Sequence, residues 1–186
     1  DGLVYGQGAP DGYAGAISRA LSQLAPLAEG RVALSGGVIG VSGKAATSTD
    51  FETALARLST PPAGLTIRDE GIQPPAAASW DWAVQRQGDR LVLEGLVPSP
   101  TTRAAIAAAV RDVSTAPAQD RLSYATGAPA GFEALAVEAV RQVGRLGAGR
   151  VSLRGGATLT VEGQAPGAAE RDAIIAALTA KSPPAI

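Results

Sequence analysis

A stretch that occurs twice limits what this chain can fold into more than any other feature. DGLVYGQGAPDGY opens the sequence at Asp1 and returns as DRLSYATGAPAGF at Asp120. Each leads through a helical pattern into Gly-Arg-Val, at Gly30 to Val32 and at Gly149 to Val151, and then into a double glycine. The spacing is 119 residues up to the double glycine and 120 after it. About 21 identities over roughly 57 aligned positions mark one supersecondary unit that has been copied. A copied unit must bury its apolar faces against neighbouring elements, so the repeat speaks to architecture before it speaks to action.

The hydrophobic pattern gives the elements of that unit. Leu3 to Tyr5 reads as a short strand, and Pro10 suits a first helical turn, where its missing N–H is no loss. Tyr13, Ile17, Ala20, Leu21, Leu24 and Leu27 then recur at three- and four-residue steps, which predicts an amphipathic helix over about 10 to 28, closed by Gly30. Arg31 to Ser35 and Val38 to Ser42 predict a hairpin turning at Gly36 and Gly37. Thr49 to Glu52 has capping-box form ahead of Phe51, Ala54, Leu55 and Leu58. Pro61 and Pro62 stop that helix, and Leu65 to Arg68 predicts a strand.

Gln73 to Ser79 holds two prolines and three alanines and predicts a linker. Beyond it Trp82 to Gln85 and Leu91 to Glu94 predict two strands, and Ser99 with Pro100 predicts a helix start ahead of Ile106, Ala109, Val110 and Val113. A strand at Leu122 to Ala125 follows. The second long helix, over about 129 to 147, carries Phe132, Leu135, Ala139, Val140, Val143 and Leu146 on one stripe.

Gly43, Gly95 and Gly163 set three segments in register. Val41, Leu93 and Val161 each stand two residues before the glycine, while Leu58, Val110 and Leu178 share one place in the helix that follows. The expectation is an α/β fold, an α+β sandwich of three ββαβ copies with two extra amphipathic helices packed on mixed β-sheets. Its units are 1–72, 80–125 and 126–186. The third copy ends without its last strand, which predicts a free sheet edge and so a homo-oligomer through that edge or a cut end of a longer protein. A start at Asp1 without Met reads as a processed or excised piece of something longer.

The middle copy, GDRLVLEGLVPSPTTRAAIAAAV with the strand DRLSYA, resembles the BON domain of bacterial envelope proteins, with Leu93, Gly95, Val97, Arg103, Ile106 and Val110 at the recurring positions. Nearly the whole chain is similar to the tandem BON regions that precede a peptidoglycan-binding domain in OmpA-like proteins of alphaproteobacteria. Two departures stand out: the first and third copies lack the Arg, and the STPPAG and STAPAQ stretches replace the family's Val-Gly-Val link. The resemblance implies a periplasmic or outer-membrane-associated module that contacts phospholipid or envelope proteins without catalysis. It would meet peptidoglycan only through a domain outside these residues.

Composition narrows the chemistry. With no Cys and no His, thiolate chemistry, disulfides and the commonest general base and metal ligand are excluded. A net charge of −1 and a pI near 5.5 offer no basic face for nucleic acid. No metal or cofactor site is expected. The carboxylates Asp69 with Glu70, Asp81, and Glu170 with Asp172 stand in turns or at helix starts, where capping and solvation account for them, so no catalytic residue is assigned. Gly6 to Gly12 reads as a turn into a helix, since it lacks the Lys-Ser or Lys-Thr of a phosphate loop. Trp80 and Trp82 stand two apart and are either core or a membrane or partner contact. Arg141 and Arg145, with Glu138, lie opposite the apolar stripe and form a solvated face or an anionic-headgroup contact. These four are the candidate lipid or partner residues.

Overall fold

The computed structural model of the chain describes residues 13–35, 38–59 and 66–181. The expected strand at Leu3 to Tyr5, the turn and helix start from Gly6 to Gly12, the hairpin turn at Gly36 with Gly37, the stop at Pro61 with Pro62, Leu65, and the chain end from Ser182 lie outside the described residues. Five helices and eight strands form two mixed sheets among the described residues, which is the expected class of helices packed on mixed β-sheets. They fall in two compact units, residues 1–75 and 76–186.

The first unit runs α1 (Tyr13–Ser22), β1 (Leu27–Ser35), β2 (Val38–Ala45), α2 (Ser48–Ser59) and β3 (Thr66–Gln73). β1 pairs antiparallel with β2, and β3 returns across α2 to pair parallel with β2. Ile39, Val41, Ala45, Phe51, Ala54 and Ile72 are buried and form its core. α1 is shorter than the periodicity predicts, because Pro26 has no N–H and its ring crowds the carbonyl four residues back. The chain makes turns at Leu24 and Ala25, and Leu27 with Ala28, predicted as helix, begins a strand. Arg57 Nη1 donates to the Ser22 carbonyl at 2.6 Å, satisfying one oxygen freed at that helix end.

The start of α2 also differs from expectation. Thr47 Oγ1 accepts from the Asp50 N–H at 3.1 Å and donates to Asp50 Oδ2 at 2.7 Å, so the cap is Thr47 with Asp50 and not Thr49 with Glu52. The residue that caps is the one the chain leaves in extended geometry just before the helix.

The second unit runs β4 (Trp82–Gln87), β5 (Arg90–Val97), α3 (Pro100–Val113), β6 (Gln119–Tyr124), α4 (Phe132–Gly144), β7 (Ala148–Arg154), β8 (Thr158–Gln164) and α5 (Ala168–Thr179). Its five strands lie in the order β6-β5-β4-β7-β8. β4 and β5 are antiparallel, and β6 joins β5 in parallel across α3, the connectivity of β1, β2, α2 and β3. β7 and β8 begin the same way, but β8 lies at the sheet edge with no further strand beside it among the described residues. The central pairing of β4 with β7 puts the segments expected as separate units, 80–125 and 126–186, into one sheet. The predicted linker is also held: Ala76 bridges Thr126, and Ala77 N–H donates to the Thr126 carbonyl at 3.1 Å.

α3 begins as its sequence predicts, with Ser99 Oγ accepting from the Thr102 N–H and Pro100 in the first turn. Thr102 Oγ1 in turn donates to Glu133 Oε2 at 2.7 Å, tying α3 to the start of α4. The predicted α4 stripe is buried throughout, from Phe132 to Leu146. At its far end Arg86 Nη1 donates to the Gly144 carbonyl at 2.6 Å, a cation where the helix dipole favours one.

The three register glycines share a physical reason. At Gly95 φ is +102°, and an added Cβ would stand 2.2 Å from the Asp81 carbonyl oxygen and 2.7 Å from Trp82 Cα. At Gly43 and Gly163 the same atom would meet the carbonyl oxygens of Glu29 and Ala148 at 2.3 and 2.7 Å. Each second strand passes so near the first that a side chain has no room.

Candidate functional site

Trp80 and Trp82 are core residues. Both indoles are buried and meet Phe132 edge to face, at ring-centroid distances of 5.2 and 5.9 Å, the geometry that ring quadrupoles favour. Their Nε1 atoms are buried with no hydrogen-bond partner in the structure. Neither ring is presented on the surface, so as lipid or partner contacts they are placed where nothing outside the unit reaches them. In a chain with few aromatics, three of them have been spent on one cluster at the start of α4.

Arg141 and Arg145 lie at the other end of that helix, about 14 to 20 Å from Phe132 at 1.5 Å per residue. Arg141 is exposed and stands 3.9 Å from Glu138. Arg145 pairs with Glu170 of α5 and donates to Gln142 Oε1 at 3.0 Å. The fold therefore does not bring the two Arg together with the two Trp, and Arg145 clamps α4 to α5.

The carboxylates singled out in the sequence have structural partners. Asp69 Oδ1 accepts from the N–H groups of Gly71 and Ile72, both at 2.8 Å. Asp81 accepts from the Gly155 N–H at 3.0 Å and from Ser79 Oγ at 3.3 Å. The carboxylate of Glu70 covers Gly40. Asp172 pairs with Arg171. On the sheet face away from the helices, Glu94 is bridged by Arg121 and Arg150 at 3.3 Å each, and Arg150 also donates to Gln85 Oε1 at 3.1 Å. A shallow pocket of about 100 Å³ between Asp81, Glu94, Arg150 and Arg154 lies on this face. Among the described residues no group of three or more acidic side chains is placed to hold a metal ion, and no helix is long and apolar enough to cross a membrane.

Among the described residues the outer edge of β8 has no strand beside it. In the first two copies the third strand covers the residue two before the glycine, so Val41 is 0% exposed and Leu93 is 2%. Val161, at the same place, is 37% exposed, and Ile175 on α5 is 47% exposed. Between them runs an apolar groove of about 170 Å³ lined by Leu146, Val161, Gly163, Ala165, Arg171, Ile174 and Ile175.

The middle copy shows how such a groove is closed. β6 lies parallel to β5 with Asp120 opposite Leu93, Leu122 opposite Gly95 and Tyr124 opposite Val97. Arg103 of α3 fastens it: Nε donates to Asp120 Oδ2 at 2.8 Å, and the guanidinium lies 5.2 Å from the Tyr124 ring centroid. The hydrogen bond to Asp120 holds the Arg103 pKa above its ordinary value.

The expectation that the third copy lacks this Arg is corrected by the same register. Arg103 stands eight residues after Gly95, and eight residues after Gly163 stands Arg171. The spacing from the glycine carries this signal. In the first copy the place is taken by Phe51, which is buried. Compared with family models, with curated proteins and with solved structures, the chain matches none.

Proposed function

We propose that this chain is a non-enzymatic interaction module of a Gram-negative cell envelope, periplasmic or outer-membrane-associated, and that it works by accepting an extended segment at the edge of β8. The envelope setting is what the resemblance to tandem BON regions implies. The single observation that carries the mode of contact is the exposure of Val161, whose counterparts Val41 and Leu93 are buried, on a strand whose outer edge has no neighbour among the described residues. Strand addition takes affinity from backbone hydrogen bonds and specificity from pockets for alternate side chains. Burial of Trp80 and Trp82 gives a phospholipid contact through them no support.

The test uses the strand that fills the equivalent place in the first unit. A synthetic peptide of the β3 sequence, TIRDEGIQ, is expected to bind the full chain, with amide shifts or hydrogen-exchange protection confined to β8 and α5. Val161→Asp is expected to abolish binding while leaving the circular dichroism spectrum unchanged. Absence of binding by any extended apolar peptide rejects the reading.

A further inference from the structure

We infer that the cavity beside the C-terminal half of α3 is a binding site for a small carboxylic acid with a compact apolar body, its carboxylate taken by Arg111. The site is independent of the β8 edge, since β6 and β8 stand at opposite ends of the five-stranded sheet. The cavity holds about 400 Å³ between α3, β5, β6 and the loop from Ser114 to Ala118, within the roughly 300 to 1,000 Å³ that small-molecule sites occupy. Leu93 and Val110, both buried, form its inner wall, and Ala107 and Ala116 line it further out.

The cavity has an origin in the sequence. The helix after each register glycine begins five residues on, at Ser48, Pro100 and Ala168, so places along the three helices compare directly. Twelve residues after the glycine stand Leu55 in α2 and Ile175 in α5, but Ala107 in α3; fifteen after it stand Leu58 and Leu178, but Val110. α3 therefore carries three carbons fewer at one place and one fewer at the other, and residues three apart share a helix face. The loop does not collapse into the gap. Ser114 N–H donates to the Val110 carbonyl at 2.9 Å, and Ser114 Oγ stands 3.0 Å from the Asp89 carbonyl oxygen and 2.9 Å from that of Ala116. Pro117 disfavours the helical turn at Ala116 that would shorten the loop. An apolar gap forfeits dispersion contacts with its lining, and an apolar guest regains them.

The charged lining selects the guest's polar group. Asp120 has both carboxylate oxygens engaged, Oδ2 with Arg103 at 2.8 Å and Oδ1 with the Leu122 N–H at 2.9 Å, so it is not free to hold a cation. Arg111 lines the cavity from its rim, is exposed, and has no hydrogen-bond or ion-pair partner among the described residues. A carboxylate on an apolar body answers both features: the body takes the place of the absent side-chain carbons, and the carboxylate gives Arg111 a charge-assisted hydrogen bond.

Titration of the full chain with cyclohexylacetate, followed by amide chemical shifts, tests this. Shifts are expected at Ala107, Val110 and Ala116 and not in β8, and the neutral analogue cyclohexylacetamide should bind about tenfold more weakly. Arg111→Gln should remove that preference while leaving the affinity for the amide unchanged. Ala107→Leu, which gives α3 the side chain of α2, should abolish binding of both compounds and raise the melting temperature, which separates a filled cavity from a damaged fold. If Ala107→Leu is instead destabilised, the shifts in the unaltered chain and the Arg111→Gln comparison decide. Cyclohexylacetate that shifts nothing around the cavity, or that binds a well-folded Ala107→Leu undiminished, overturns the site; an amide that binds as tightly as the acid overturns the assignment to carboxylates.

Discussion

At Gly95 two costs coincide, the positive φ and the contact with Asp81 and Trp82, whereas Gly127 has a similar φ of +104° with nothing within 4 Å of an added Cβ. Gly95→Ala is therefore expected to destabilise by about 3 kcal/mol or more and Gly127→Ala by about 1 kcal/mol, read from urea denaturation of the two variants. Equal losses would show that backbone conformation alone sets the cost. Spacing in the sequence singles out Gly95, since Gly43 and Gly163 repeat it, but does not say that a neighbouring carbonyl excludes the methyl group. The indoles show the converse case. Trp80 and Trp82 are conspicuous by rarity, yet their role depends on Phe132, about fifty residues later, and no local pattern links a ring to a ring at that distance. Arg171 was legible by counting from Gly163; only the sight of Arg103 gripping Asp120 and Tyr124 gives that count a meaning.

Helices were legible where caps and stripes agree, as in α3, whose Ser99 and Pro100 mark its first turn. Ser99→Ala is expected to cost about 1 kcal/mol, because the Thr102 N–H loses its acceptor. Thermal denaturation checks this, and an unchanged midpoint would mean that another group takes over the cap. α1 shows the limit of periodicity. Its stripe runs on through Leu24 and Leu27, so the spacing promises a helix that Pro26 forbids, and the same residues serve a turn and the start of β1. In α4 Arg145 stands in the place of Pro26, and the helix continues to Gly144. Covalent geometry outweighs an apolar pattern here, since the broken helix costs more than the misplaced leucine gains.

At the scale of the molecule the sequence yields the ββαβ connectivity shared by β1 to β3 and β4 to β6 but not the grouping of strands into sheets, because strand-to-strand pairing between such segments depends on edges and not on local residues. Pairing of β4 with β7 merges two segments that the register of glycines separates. Two compact units predict two unfolding transitions. Val84→Ala, in the centre of the larger sheet and fully buried, should lower by about 2 kcal/mol only the transition that a fragment of residues 76–186 retains; calorimetry of the full chain and the fragment decides, and a single transition lowered as a whole would show one cooperative body. The pairing of β4 with β7 also carries a temporal consequence. Gln85 must wait for Arg150, a separation of 65 residues, whereas β1 and β2 meet as neighbours along the chain. On a ribosome delivering residues in order, the first unit can close its hairpin early, while β4 and β5 emerge as a hairpin whose inner edge has no partner until α4 and β7 have been made. The larger sheet is thus assembled from its β6 flank across to β8, and its central seam has to wait for β7, the last strand but one to be delivered.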